Sequence, residues 1–239
     1  MYKFKSANDL AKTLEYTNLD NTATKDDMVE FFNKASEFDF NSVIVSPSYI
    51  TLAKEKLKDT DTKIGTVIAF PLGFETTEMK VENAKIAMDL GVDSIDMMLN
   101  LSDLKSNNYE AIEKEVKAVK EAIGDKVLKV IIESKQLVDD EKAKIAKLLE
   151  KSGVDYIKTS TGFNGINNFY ENIHDINILK KNAPKTKIKA AGGISEYKDA
   201  YRILSSGVTT IGSSSAYEII KSFETLVNNE DVKQEMLKV

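Results

Sequence analysis

The sequence predicts an α/β fold in which eight strands alternate with helices, and three observations support that prediction. Short apolar runs rich in β-branched residues recur at intervals of about 20 to 35 residues, the length of one βαβ unit. The segments between them repeat apolar residues at helical spacing, as residues 112–123 do. A Gly-Val joint also recurs at 91–92, 153–154 and 207–208, each time between a helix-like segment and the next strand-like run.

The elements follow one another in a regular order. A short helix at 6–12 precedes the first strand, and Thr24 is expected to cap the helix after that strand. Four glycines stand where later helices should end, because glycine readily takes the left-handed conformation of a helix C-terminus. These glycines are Gly91, Gly124, Gly153 and Gly207. The predicted strands are 14–19, 42–45, 64–69, 94–99, 127–132, 155–159, 188–191 and 209–211.

Eight strands and their helices in 239 residues are typical of a closed (β/α)8 barrel with a short N-terminal capping helix. An open, doubly wound sheet fits the periodicity almost as well. No Gly-x-Gly-x-x-Gly follows an early strand, however, which disfavours a nucleotide-binding sheet. No linker divides the chain, so we expect a single catalytic domain over residues 1–239, with 228–239 as a peripheral polar tail.

Composition narrows the class of partner. The chain is 42% hydrophobic and 30% charged, and its net charge of -5 comes from acids and bases that are interleaved rather than blocked. Such a surface has no basic stripe for nucleic acid and no polybasic patch for a membrane, so we expect a small-molecule partner. The N-terminus lacks an apolar signal core and the sequence has no transmembrane run, which indicates a cytoplasmic protein.

Metal and thiol chemistry are disfavoured by the residue types present. The chain has no cysteine and one histidine, so a thiolate site is excluded and a zinc site is improbable. That histidine, His174, lies in a polar helical stretch and is expected at the surface. We therefore predict no metal.

Four charged residues interrupt the apolar strands: Asp96, Lys129, Lys158 and Lys189. A charge inside such a run is unusual, because an unpaired charge is costly to bury. One explanation is purely structural: the lysines pair with Asp96 and Glu133, or they lie at frayed strand ends in water. Four charges at matching strand positions instead favour a site at the carboxyl ends of the strands, where barrels place function.

Lys158 is the best candidate for a nucleophile, because a hydroxyl-rich turn at 159–162 follows it at once. A free lysine has a pKa near 10.4, so about one molecule in 2,500 is neutral at pH 7. A second ammonium about 6 Å away would lower that pKa by about two units, and partial burial would supply the rest. Lys189 or Lys129 would then allow Lys158 to attack a carbonyl and form a Schiff base.

Glycine-rich and serine-rich turns follow the last two strands, at 192–193 and 212–215. Backbone amides exposed by glycine, serine hydroxyls and a helix N-terminus together bind anions, and barrels commonly hold phosphate after strands seven and eight. A Gly-Gly pair alone is more often only a turn. The two turns together predict a phosphate site.

Three functions fit these residues. The first is aldol cleavage or addition through a Schiff base on Lys158. The second is a phosphosugar isomerase or epimerase in which the lysines act only electrostatically, and the third is a non-catalytic phosphometabolite-binding barrel. A reducible imine on Lys158 is expected for the first function alone.

The same segments resemble the deoxyribose-phosphate aldolases, a family of class I aldolases, from about residue 14 to residue 220. The segments that carry the resemblance are Ile-Lys-Thr-Ser-Thr-Gly-Phe at 157–163, Ile-Asp-Met-Met-Leu-Asn at 95–100, Lys-Ala-Ala-Gly-Gly at 189–193, Gly-Ser-Ser-Ser at 212–215, and the runs 67–73 and 129–133. The resemblance implies a TIM barrel that cleaves 2-deoxyribose 5-phosphate to acetaldehyde and glyceraldehyde 3-phosphate, without metal or organic cofactor, and that is often dimeric.

The resemblance also implies roles for individual residues. Lys158 would form the Schiff base, Lys189 would lower its pKa, and Asp96 would move protons with an ordered water. Thr17 and Thr161 would contact the sugar. The residues implied in phosphate binding are Gly162, Gly192, Gly193, Gly212, Ser214 and Ser215.

This chain departs from the family pattern at four places. The usual Asp-His-Thr of the first strand is Glu-Tyr-Thr at 15–17, and a lysine commonly found soon afterwards is Asp20. The basic residue that often follows Gly-Gly-Ile is Ser195, and the C-terminal tyrosine of the family has no clear match. Losing a cation near the phosphate is expected to weaken anion binding.

Overall fold

A computed structural model of the protein describes residues 4–165 and 168–228. Eight parallel strands form a closed barrel in chain order, and the first strand pairs with the last. The predicted (β/α)8 barrel is therefore confirmed, and the open sheet is wrong. The strands are β1 (Leu14–Asn18), β2 (Ser42–Val45), β3 (Lys63–Ile68), β4 (Ser94–Met98), β5 (Val127–Ile131), β6 (Tyr156–Lys158), β7 (Lys187–Ala191) and β8 (Thr210–Ser213).

Helices follow the strands and surround the barrel. They are α1 (Ala7–Ala11), α2 (Lys25–Ala35), α3 (Ile50–Lys56), α4 (Thr77–Asp89), α5 (Leu101–Lys105), α6 (Tyr109–Ile123), α7 (Asp139–Lys151), α8 (Phe169–Asn182), α9 (Tyr197–Ser205) and α10 (Ala216–Asn228), with 3-10 turns at Pro47–Tyr49 and Ser134–Gln136. The predicted strand bounds agree with these within two residues at each end. The tail predicted at 228–239 lies, beyond Asn228, outside the described residues.

Local sequence explains where the helices begin and end. Thr24 caps α2 as predicted, and its hydroxyl accepts a hydrogen bond from the backbone N–H of Asp27. Ser6 caps the predicted N-terminal helix α1 in the same way. The Gly-Val joints end helices as expected, because Gly153 and Gly207 take left-handed backbone conformations, with φ of 75° and 91°.

Strand residues alternate between two environments. Val43, Ile95 and Val130 are fully buried in the apolar layer between the strands and the helices. Burial of each such side chain contributes roughly 1.5 to 3 kcal/mol to stability. The next residue along β4, Asp96, and its neighbour in register on β5, Lys129, point the other way, into the barrel. On these strands the alternation therefore places Val43, Ile95 and Val130 outside the barrel and Asp96 and Lys129 inside it.

Among the residues described, no helix is both long and apolar enough to cross a bilayer.

Candidate active site

Five charged side chains meet inside the barrel: Glu15 on β1, Asp96 on β4, Lys129 on β5, Lys158 on β6 and Lys189 on β7. Each is at most 3% exposed. Register explains the meeting, because Asp96 lies beside Lys129 and Lys158 lies beside Lys189 on neighbouring strands. The structure thus brings together the four charged residues that the sequence singled out, and adds Glu15 to them.

Asp96 is the centre of this ion cluster. One of its oxygens, Oδ2, accepts hydrogen bonds from Nζ of Lys158 at 2.8 Å and from Nζ of Lys189 at 2.7 Å. Its other oxygen accepts from Nζ of Lys129 at 3.1 Å. Glu15 is the second acid, hydrogen-bonded by Lys189 and 3.3 Å from Nζ of Lys129. Two of the three lysines therefore contact both acids, whereas Lys158 pairs with Asp96.

The charge count predicts that one lysine of the cluster gives up its proton, and the pKa values identify it as Lys158. Three ammonium groups and two carboxylates leave one excess positive charge among buried side chains, which is unfavourable. Burial, with a smaller contribution from the neighbouring ammonium of Lys189, outweighs the opposing effect of Asp96 and lowers the pKa of Lys158 to about 8. At that pKa about one molecule in eleven is neutral at pH 7, against about one in 2,500 for a free lysine.

Lys129 and Asp96 stay charged. Burial alone would lower the pKa of Lys129, but Asp96 and Glu15 outweigh it and raise that pKa. Burial would likewise raise the pKa of Asp96, yet the three lysines hold it well below its usual range. From the sequence, a second ammonium is expected to cause most of the pKa shift at Lys158. In the structure burial is the larger cause and Lys189 the smaller.

A cavity of about 650 Å³ opens at the carboxyl ends of β1, β6, β7 and β8, with Lys158 in its wall. Asp96 and Lys189 contact Lys158 from inside the barrel. All eight residues implied in substrate or phosphate contact line this same cavity: Thr17, Thr161, Gly162, Gly192, Gly193, Gly212, Ser214 and Ser215. The nucleophile candidate and the anion-binding turns therefore share one space.

Two of the glycines are required by close packing. At Gly192 the backbone is left-handed, with φ of 95°, and an added Cβ would lie 3.0 Å from Oγ of Ser160. At Gly212 an added Cβ would lie 2.6 Å from Cε of Lys189. Gly212 thus leaves the space that Lys189 occupies, a role that the Gly-Ser-Ser-Ser motif did not reveal.

Glu133 has a different role from the ion pair considered in the sequence analysis. It is fully buried with a left-handed backbone, φ 49°. Its carboxylate accepts hydrogen bonds from the Thr161 hydroxyl, from the Thr161 N–H at 3.2 Å and from Nδ2 of Asn164 at 3.0 Å. It therefore positions the turn after Lys158.

Aromatic side chains form one side of the entrance. The Phe70 ring lies 5.9 Å from Nζ of Lys158, and Phe163 packs edge-on against Phe70 with the ring centroids 5.2 Å apart. An aromatic face near a lysine favours its charged form, although burial dominates here.

The remaining candidates lie elsewhere. The side chain of His174 is 57% exposed and lies 2.8 Å from Asp139, in keeping with the surface position expected for it. Within 4–165 and 168–228, no group of three or more His, Cys, Asp or Glu side chains could hold a metal ion.

Comparisons with known proteins show which family this chain is similar to. The family model of the DeoC/LacD family aldolase matches residues 9–214. A deoxyribose-phosphate aldolase of Clostridioides difficile (strain 630) is 43% identical over 217 residues, which cover 90% of this chain and 97% of that protein. Among solved structures, an aldolase named QR15 has a TM-score of 0.86 at 30% identity, covering 92% of this chain and 98% of its own. The tetrameric deoxyribose phosphate aldolase of Aeropyrum pernix has a TM-score of 0.82 at 28% identity, covering 93% and 94%.

Proposed function

The chain belongs to the DeoC/LacD family of aldolases, and we propose that it cleaves 2-deoxy-D-ribose 5-phosphate reversibly to acetaldehyde and D-glyceraldehyde 3-phosphate. It would serve as an aldehyde-lyase in deoxyribonucleoside catabolism. The relative that is 43% identical supports this choice of substrate. The observation that carries the proposal is a buried lysine, Lys158, whose pKa is lowered to about 8 and which faces a cavity with glycine-rich and serine-rich turns.

The neutral Nζ of Lys158 adds to the C1 carbonyl of the open-chain sugar, and loss of water from the carbinolamine gives a protonated imine. The C2–C3 bond then breaks as the C3 hydroxyl gives up its proton. This step releases glyceraldehyde 3-phosphate and leaves an enamine on Lys158. Protonation of the enamine carbon and hydrolysis of the imine release acetaldehyde and restore the free lysine.

Asp96 is the group proposed to move protons, together with an ordered water. It stays ionised beside three lysines, and one of its oxygens contacts Lys158 and Lys189 at once. A proton given up at Lys158 therefore has an acceptor within hydrogen-bond distance. The ammonium of Lys189 lies next to Lys158, lowers the pKa of Lys158 and so favours its neutral amine.

The phosphate is proposed to bind in the turns after β6, β7 and β8. There Gly192 and Gly193 line the cavity with φ of 95° and 73°, and α10 begins directly after Ser215. Thr17 and Thr161 face the same cavity and would contact the sugar. The residues proposed to hold the phosphate are Gly162, Gly192, Gly193, Gly212, Ser214 and Ser215.

Reductive trapping tests the proposal. The protein is treated with acetaldehyde and borohydride, and peptide mass spectrometry should find one added ethyl group on Lys158. Lys158→Arg keeps the charge but not the nucleophile, so it should lose both the adduct and the cleavage activity. Lys114→Arg, on the exposed face of α6, is the matched control and should keep both. Turnover of a phosphosugar without a reducible imine would refute this function and favour the isomerase.

We also propose that the protein forms a homodimer. Large apolar side chains are exposed on α4 and the loop before it, with Phe74 71%, Leu72 55% and Met79 53% exposed. A second copy would remove this surface from water. Phe74→Glu should then lower the mass measured by light scattering from that of a dimer to that of a monomer. A wild-type protein that runs as a monomer would contradict the dimer.

A single catalytic domain over residues 1–239 and a cytoplasmic location complete the proposal. The residues of the proposed site come from β1 through β8, so no smaller part of the barrel would contain them all. A sugar-phosphate substrate is a metabolite, which supports the location. Cell fractionation with an antibody against the chain tests it.

A further inference from the structure

The cavity beside Lys158 has an unusual balance of charge for a phosphate site. Among its described lining residues the charged side chains are Lys158 and Asp20, and Lys158 is taken up by the Schiff base. The turns proposed to hold phosphate supply backbone N–H groups and hydroxyls. Apart from Lys158, which carries the imine at the C1 end of the sugar, the charged side chain that a phosphate dianion would meet among these described lining residues is the carboxylate of Asp20.

Asp20 lies close to the phosphate-binding turns because of barrel closure. It follows β1, which pairs with β8 so that Tyr16 lies beside Ser213, and the turn 212–215 follows from there. One oxygen of Asp20, Oδ1, accepts from the N–H of Thr22 at 2.8 Å and from its hydroxyl at 2.7 Å. These two bonds hold the side chain in place and lower its pKa, so it is ionised at neutral pH.

Ser195, after β7, lies on another side of the same cavity. It is exposed, and it presents a neutral hydroxyl to the cavity. A hydroxyl hydrogen-bonds a phosphate or an alcohol alike, whereas a cation would favour the phosphate strongly. Both side chains thus weaken the binding of a phosphate, Asp20 because it repels the dianion and Ser195 because it offers no positive charge.

We propose that Asp20 and Ser195 are specificity-determining residues that weaken selection for a phosphorylated tail, so that the enzyme also cleaves short 2-deoxyaldoses ending in a free hydroxyl. This inference rests on the proposed aldolase function and defines its substrate class. Backbone amides and hydroxyls hold either tail. The carboxylate of Asp20 penalises the dianion and leaves the neutral alcohol unaffected.

The test compares kcat/KM for 2-deoxyribose 5-phosphate with kcat/KM for 2-deoxyribose, in EDTA so that no divalent cation bridges Asp20 and the phosphate. Asp20→Asn and Ser195→Arg should each raise the ratio of the two values by about tenfold, chiefly through KM for the phosphorylated sugar. The increase should shrink at high salt, because these groups are exposed. Asp26→Asn removes an exposed acid of the same region that does not line the cavity, and it should leave the ratio unchanged.

Two outcomes would overturn the proposal. One is a ratio that stays within about twofold of wild type in both cavity variants. The other is an equal rise of the kcat/KM ratio in Asp26→Asn, which would show that the effect comes from long-range electrostatics rather than from a local contact. Acetaldehyde has no phosphate, so trapping on Lys158 reports the aldolase function separately. Trapping with an unmoved ratio would refute the specificity proposal alone, whereas absence of trapping would refute the function.

Discussion

Nζ of Lys158 lies 2.8 Å from Oδ2 of Asp96, and both side chains are almost completely withdrawn from solvent inside the barrel. The contact favours a charged lysine, yet burial and a second ammonium outweigh it. Asp96 therefore stays ionised beside an amine that gives up its proton near neutral pH. This combination would allow the two groups to exchange a proton during the proposed imine formation.

Asp96→Asn should reduce kcat by more than about 100-fold, because the proton acceptor next to Lys158 is lost. It should also lower the free energy of unfolding by about 3 to 5 kcal/mol, since three buried lysines would be left with Glu15 as their acid. Steady-state kinetics and urea unfolding measure the two effects. Asp61→Asn, an exposed acid, is the control and should change neither. A kcat within about tenfold of wild type would exclude Asp96 from proton transfer.

The pH dependence of imine formation should report Lys158 directly. The rate of trapping by acetaldehyde and cyanoborohydride depends on the neutral amine, so it should rise with pH around a midpoint near 8. Rapid-quench mass spectrometry from pH 6 to pH 10 gives the profile. A midpoint near that of free lysine would show that the barrel does not lower the pKa of this side chain.

The same pKa shift has a consequence for stability. Between the folded pKa of about 8 and the ordinary value of 10.5, the unfolded chain holds a proton on Lys158 that the folded chain has released. Unfolding then takes up a proton, so this group adds stability as pH rises through that window and adds none below pH 8. The full gain is about 3 kcal/mol.

Lys158→Met removes this titration and is the variant to compare. The variant should be more stable than wild type below pH 8, because it buries no charge at this position. That advantage should fall by about 2 kcal/mol between pH 8 and pH 10. Urea unfolding at each pH measures the difference, and a difference that is constant with pH would contradict the shift.

Glu133→Gln should weaken the turn that follows Lys158 while leaving the lysine in place. A glutamine keeps the size, but its amide cannot accept all the hydrogen bonds that the carboxylate takes from Thr161 and Asn164. We expect a loss of about 1 to 3 kcal/mol in unfolding free energy and a higher KM for the sugar. A double-mutant cycle with Thr161→Val measures the contact. Additive effects would mean that Glu133 does not act through Thr161.

The sequence predicted most of this arrangement and missed parts of it for physical reasons. The barrel and its strand bounds follow from local periodicity, and Asp96, Lys129 and Lys158 stand out as charges in apolar runs. Glu15 did not stand out, because its strand also contains Thr17 and Asn18 and so already appears polar.

The pairing within the cluster depends on three-dimensional contacts that no spacing encodes. Both Lys129 and Lys189 are possible neighbours for Lys158 by sequence, and only the fold shows that Lys189, in register with Lys158 on the next strand, is the one that lowers its pKa. From the sequence, Glu133 is a possible partner for the lysines. In the structure its backbone is left-handed, and its side chain instead binds Thr161 in the turn after β6. Such backbone conformations are rare for residues other than glycine and were not foreseeable from the motif.

Gly212→Ala tests whether the space beside Lys189 is needed. The added Cβ would lie 2.6 Å from Cε of Lys189, so that side chain must move away from its contact with Asp96. The backbone of Gly212 is not left-handed, so the substitution adds crowding without backbone strain. Displacing Lys189 removes one of the groups that lower the pKa of Lys158, so the midpoint of imine formation should move up and kcat at pH 7 should fall.

The matched control for Gly212→Ala is Gly153→Ala, where φ is 75° and an added Cβ meets nothing within 4 Å. That variant should lose about 1 kcal/mol of unfolding free energy from backbone strain and keep the wild-type midpoint. If Gly212→Ala lowered stability and left the midpoint unchanged, Lys189 would be a structural ion-pair partner. A shifted midpoint in Gly212→Ala alone would instead identify Lys189 as the residue through which β8 adjusts the reactivity of Lys158.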